Sequence, residues 1–323
     1  MSKRSLGLSV IIILSLFVLN SSLGYAQERT FAIKEKISLH NLSREAKDIR
    51  VWVPYPVSDA WQEVKGFKYL SSVEGKIIKD EKYGNKILYI EFPSDTYPEL
   101  ELALEFTILR KQYDYYSNPS WDKTNLSGFL KANRLVFVDK QTRKLAGDIT
   151  KGLKTAVEKA KAIYSFILKE FVYTKDDPRV CKIGNSKLAL LFKKGQCSEY
   201  HSTFISLIRS IKIPAKFEVG FPLPQDKKEG MIGGYHCWAK FYVDGSGWLP
   251  VDISEADKHP EKKDYFFGRI DENRVHFSTG RDIVLPYAQD KEALPLNYFV
   301  YPYIEVDGRH YPDAAIEVSF ADK

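Results

Sequence analysis

Along the first third of the chain, apolar residues recur at every second position. Phe31, Ile33, Ile37 and Leu39 share one parity, as do Ile49, Val51 and Val53. Leu100, Leu102, Leu104, Phe106 and Ile108 alternate with Glu99, Glu101, Glu105 and Thr107. A period of two marks strands with one buried face. Tyr83-Gly84-Asn85 supplies a turn between a strand near Ile77-Ile78 and another from Lys86 to Phe92. Several short strands at this spacing predict a small β-sandwich over residues 27–112.

The period then changes. Residues 111–133 are irregular and aromatic and read as a connector that packs on the core of the second part. Ala156, Ala160, Ile163 and Ile167 lie on one side of a helix running to Leu168, which leads into Phe171-Val172-Tyr173. Phe204, Leu207, Ile208 and Ile211 form a second helical stripe, just after Gly195-Gln196-Cys197. Tyr235 to Val243 and Trp248 to Ile253 are rich in aromatic and β-branched residues, and Asp244-Gly245-Ser246-Gly247 between them predicts a hairpin. Beyond it, the strand Arg274 to Phe277 and the stretch Leu296 to Tyr303 are expected to extend the same sheet. The fold class is therefore α+β: an N-terminal β-sandwich, then a domain over 113–323 with helices on an antiparallel sheet. No internal repeat or low-complexity tract is present.

Three residues in the second part have chemical meaning together. Cys197 falls at a helix N-terminus, where unpaired N–H groups and the helix dipole favour thiolate over thiol. The same N–H groups suit an oxyanion. If the hairpin turns near Asp244 or Gly245, Asp252 falls opposite His236 or Trp238 and on the face of both. Such pairs are roughly 5 Å apart when opposite and 7–8 Å when diagonal, so the carboxylate can orient the imidazole. A one-residue slip would separate them. The bland alternative is a buried structural cysteine, a core histidine and a surface aspartate.

Gly-x-Cys followed by a helix ending in Arg209-Ser210-Ile211-Lys212-Ile213-Pro214-Ala215-Lys216 resembles the transglutaminase-like core. Tyr235-His236-Cys237-Trp238-Ala239 resembles its His-x-Trp strand, and Gly247-Trp248-Leu249-Pro250-Val251-Asp252 its Gly-Trp-x-x-x-Asp strand. The likeness runs from about Ala156 to Ser254. It implies a papain-like layout with Cys197 as nucleophile, His236 as general base and acid, and Asp252 as the orienting carboxylate. Gln196 and Tyr173 are the candidates for a second oxyanion donor, and Trp238 for a substrate contact. Leu191 stands six residues before the cysteine, where a papain-type enzyme has glutamine, so that donor is missing. Ile49-Arg50-Val51-Trp52-Val53-Pro54-Tyr55-Pro56 resembles a strand that precedes bacterial cores of this kind. The implied activity is cleavage or transfer of amide acyl groups through a Cys thioester: peptidase, amidase or protein cross-linking. A catalytically idle binding module is the alternative.

Lys3 and Arg4 precede an apolar run from Leu6 to Leu19, and Gly24-Tyr25-Ala26 offers small residues for cleavage. Residues 1–26 thus read as a secretory signal, placing the chain in the periplasm or outside the cell. No other run is apolar enough to cross a bilayer. The net charge of +6 is mild and mixed in sign, which gives no case for nucleic acid. The expected partner is a peptide, protein or peptidoglycan-type amide, with no cofactor. A metal site using Cys197 and His201 with His236 or Cys237 lacks paired Cys-x-x-Cys spacing, and no acidic loop supports calcium. The cysteine count is three, so with Cys197 free, Cys181 and Cys237 are left either as a disulfide or as two buried thiols.

Overall fold

The structure, a computed structural model, describes residues 27–323 except 41, 44–45, 72, 94–98 and 118–125. The signal-like segment 1–26 lies outside the described residues. The chain opens with β1 (Glu28–Leu39), β2 (Ile49–Pro54), β3 (Gln62–Leu70), β4 (Lys76–Lys79), β5 (Lys86–Phe92) and β6 (Leu100–Lys111). A short β7 (Tyr113–Asp114) follows, then α1 (Lys140–Ile149), α2 (Ala156–Glu170), β8 (Val172–Tyr173), α3 (Ser186–Phe192), β9 (Lys194–Gly195) and α4 (Cys197–Ser210). Next come β10 (Ala215–Pro222), β11 (Glu229–Met231), β12 (His236–Val243), β13 (Gly247–Val251) and α5 (Ile253–Lys258). The remainder forms β14 (Arg269–Ile270), β15 (Arg274–Thr279), β16 (Tyr303–Val306), β17 (Arg309–His310) and β18 (Ala315–Asp322).

Three sheets carry the molecule. The core sheet runs β13-β12-β10-β15. The two sandwich sheets run β11-β18-β1-β6-β3 and β17-β16-β2-β5-β4. The period-two pattern of the sequence is what the strands use: β6 alternates buried and outward residues along its length. Tyr83-Gly84-Asn85 does join β4 to β5, which pair antiparallel.

The C-terminal expectation needs correcting. Among the described residues, only β15 extends the core sheet, pairing with β10. The later strands go to the sandwich, where β16 pairs with β2 and β18 with β1. Each N-terminal sheet is thus completed from the far end of the chain, because β1 and β2 would otherwise present unpaired edges. The segment Ile49 to Pro56 has a structural role: Trp52 is buried, and its indole donates to the Pro286 carbonyl at 2.7 Å. Sandwich and core sheet share one apolar interior, in which the Phe106 ring meets Phe277 edge-on at 6.1 Å.

Helix α4 is the centre of the second part, and every one of its residues is buried. It packs on β12 and β10 below and against α1, α2 and α3. Most of its polar side chains find partners within the fold, although the Thr203 hydroxyl has none. Arg209 donates to the Ala215 and Lys131 carbonyls, and Ser210 to the Ser206 carbonyl. The neighbouring α2 starts on a reciprocal cap between Thr155 and Glu158, the signature S/T-x-x-E at a helix entry.

Candidate functional site

Cys197 is the first residue of α4, and Gln196 is its N-cap. Gly195 enters with φ +149°, in the region that favours glycine, and a Cβ there would lie 2.4 Å from the Glu199 Cβ. That close approach lets Glu199 reach back. One of its oxygens accepts the Gln196 N–H at 3.0 Å, and the other accepts the N–H groups of Ile183 and Gly184 at 3.1 and 2.6 Å. The buried carboxylate therefore ties the nucleophile turn to the loop before α3. Sequence reasoning passed over Glu199; its position three residues after the cap residue is the signal that finds it.

The hairpin register is the one required. Ala239 opposes Val251, so the ladder carried one step further sets Asp252 against Trp238 and diagonal to His236. The His236 Nε2 and Asp252 Oδ2 atoms are 2.6 Å apart. The other Asp252 oxygen caps α5, accepting the Glu255 N–H at 3.1 Å and the Ser254 hydroxyl at 3.2 Å. Arg274 stands behind, with Nε 3.8 Å from Asp252 Oδ2 and Nη2 3.1 Å from Glu255 Oε2. No sequence pattern marked Arg274.

The structure brings Cys197, His236 and Asp252 together. His236 lies within hydrogen-bond reach of the Cys197 sulfur. With Nε2 engaged by Asp252, Nδ1 is the nitrogen left for that contact. Burial disfavours a charged His236, but the Asp252 carboxylate outweighs it and lifts the imidazole to about 9. Contacts from Cys237 and then His236 hold the Cys197 thiol well below its ordinary value, against the opposing effect of burial. Asp252 stays ionised: burial opposes this, but His236, His201 and Arg274 together hold it far below the usual carboxylate range. The arrangement favours a thiolate–imidazolium pair near neutral pH.

Cys197 and His236 open into a cleft of about 870 Å³. Gln196 and Tyr173 also line it. Gln196 is 9 % exposed, and its amide nitrogen has no hydrogen-bond partner. Trp238 does not reach the cleft. It is 1 % exposed and donates from its indole to Glu218 at 2.7 Å, on the sheet face turned away from α4, so it has no surface for a substrate. Leu191 is exposed on α3.

Of the two readings of the cysteine count, the buried thiols hold. Cys181, Cys197 and Cys237 are all free thiols, so Cys181 and Cys237 form no disulfide. Parity does put Cys237 on the sheet face opposite His236, but that face is the one α4 covers. Cys237 Sγ lies 3.6 Å from His201 Nδ1 and within reach of Cys197, beside the site. His201 in turn accepts the Ile253 N–H on Nε2 at 3.0 Å. Both its nitrogens are thus engaged within the fold. Among the described residues, no three His, Cys, Asp or Glu side chains are grouped to hold a metal ion.

Residues 143–253 match the family profile of the transglutaminase-like superfamily. An uncharacterized protein of Haemophilus influenzae is 26% identical over 302 residues, covering 80% of each chain. Among solved structures, a candidate cysteine protease from Cytophaga hutchinsonii superposes with a TM-score of 0.60 at 15% identity, over 92% of this chain and 91% of that one. At that identity the likeness is one of fold, and it spans sandwich and core together. By sequence, residues 143–253 form a domain of the transglutaminase-like superfamily, set in a fold that the protease structure shares.

Proposed function

We propose that the protein is a cysteine-dependent acyl transferase or hydrolase acting on peptide, protein or peptidoglycan-type amides in the cell envelope. One observation carries the reading: His236 is gripped by Asp252 at 2.6 Å while its ring stands against the Cys197 sulfur at a cleft. His236 takes the thiol proton, and the thiolate attacks the amide carbonyl carbon. The oxyanion of the tetrahedral intermediate falls to the Cys197 backbone N–H, which has no intrahelical acceptor at the first helical position, and to the unpartnered Gln196 amide. His236 then protonates the departing amine as the C–N bond breaks, leaving a thioester. Water or an amine attacks that thioester, with His236 again the base, and the sulfur is released. Export rests on the pattern of residues 1–26.

The test is Cys197→Ala against wild type on peptide, protein and peptidoglycan amides, reading released amine and, by mass spectrometry, the acyl adduct. The alanine variant is expected to fold and to lose both. Full rates without Cys197 refute the nucleophile, and no adduct on any amide class would leave a binding module.

A further inference from the structure

Ile253 donates its N–H to His201 Nε2 at 3.0 Å, so that nitrogen carries no proton. Burial lowers the proton affinity of His201, and the neutral ring then keeps its single hydrogen on Nδ1. Nδ1 faces Cys237 Sγ at 3.6 Å and donates to it. With its acceptor side occupied, the Cys237 thiol has its own S–H free for another partner. Cys197 lies within reach of it, across the seam between α4 and β12. Cys237 is fully buried and held as a thiol: burial first, then the contact with Cys197, push it well above its ordinary value.

We propose that Cys237 is a positioning residue whose S–H donates to the Cys197 thiolate, and that His201 fixes its direction. The chain Ile253 N–H, His201, Cys237, Cys197 gives the sulfur a donor from beneath, while His236 approaches it from the end of the strand. This deepens the reading of Cys197 as nucleophile and rests on it for its catalytic meaning. The other groups facing the sulfur do not replace the donor. Glu199 has its oxygens committed to backbone N–H groups, and Tyr173, Tyr235 and Tyr298 are kept protonated by burial.

The experiment measures alkylation of Cys197 by iodoacetamide between pH 4 and 10 in the full chain, quantified at that cysteine by peptide mass spectrometry. Wild type is compared with Cys237→Ser, which keeps a donor, and with Cys237→Val, which fills the space without one. Cys237→Ala serves if the valine variant melts early. The apolar variants are expected to raise the pH midpoint by about one unit, a roughly tenfold loss of rate at pH 6, with serine near wild type. An unchanged midpoint in the apolar variants, or an equal shift with serine, overturns the proposal. A wild-type midpoint at the value of a free thiol would instead sink the proposed function, so the two failures are distinguishable.

Discussion

Asp252 divides its carboxylate between two tasks: Oδ2 holds His236 at 2.6 Å while Oδ1 caps α5 through the Glu255 N–H. Asn at 252 would keep an acceptor for the cap, since Asn and Asp are similar N-caps, but would remove the charge that sustains the imidazolium. Asp252→Asn is expected to melt near wild type, to move the Cys197 alkylation midpoint upward, and to lower turnover on the order of 10⁴-fold, as in other triads of this type. An unchanged alkylation profile contradicts this.

Gly195 is predicted to be intolerant of any side chain. Alanine there combines a disfavoured φ with overlap of the Glu199 side chain, at a cost of about 2–4 kcal/mol. Thermal melting of Gly195→Ala should fall by several degrees, and Cys197 should react as an ordinary thiol. A variant that melts with the wild type and keeps its thiolate would show that the turn relaxes.

Glu35 on β1 is 1 % exposed with no partner for either oxygen, and burial raises it to about 8. Its unfolded value is near 4.3, so the fold prefers the protonated acid. The sign follows: this contribution is full below about pH 4 and is lost as pH rises through about 8. Glu35→Gln should be close to neutral at pH 4 and more stable than wild type at pH 9, with an upper bound on the order of 5 kcal/mol. Denaturant melts of both proteins at the two pH values check it. Equal stability at pH 9 would mean that Glu35 is paired or hydrated.

Removal of residues 315–323 deletes β18, which lies between β1 and β11. It would bare the edge of β1 and release β11. The truncated chain is expected to aggregate on refolding, with Cys197 losing its low midpoint in any soluble fraction. A soluble truncation with an intact alkylation profile would show that the sandwich is dispensable to the site.

What the sequence discloses here is local. The two glycines of Asp244-Gly245-Ser246-Gly247 fix a hairpin whose parity brings Asp252 to His236, and Gly195 before an apolar stripe locates the start of α4. What it conceals is which sheet face the helix covers. His236 and Cys237 alternate as strand residues do, yet α4 lies over Cys237, as the Phe204 ring meeting Phe241 at 6.0 Å attests. His236, at the first position of β12, reaches the sulfur from the strand end, so both neighbours touch it. Trp238 resembles a substrate contact by motif, but its place in the interior depends on Glu218, a strand away. The pairing of β18 with β1 is hidden for a different reason. Alternation says that a strand needs a neighbour but not which one.

Arg29 at one end of the described chain pairs with Asp322, 293 residues later, at 2.8 Å. Between them β11 hangs on β18, and Met231 to Tyr235 lead from β11 along the cleft wall to His236. The wall beside Cys197 is thus moored, through β11, to a strand more than 100 residues further along the chain.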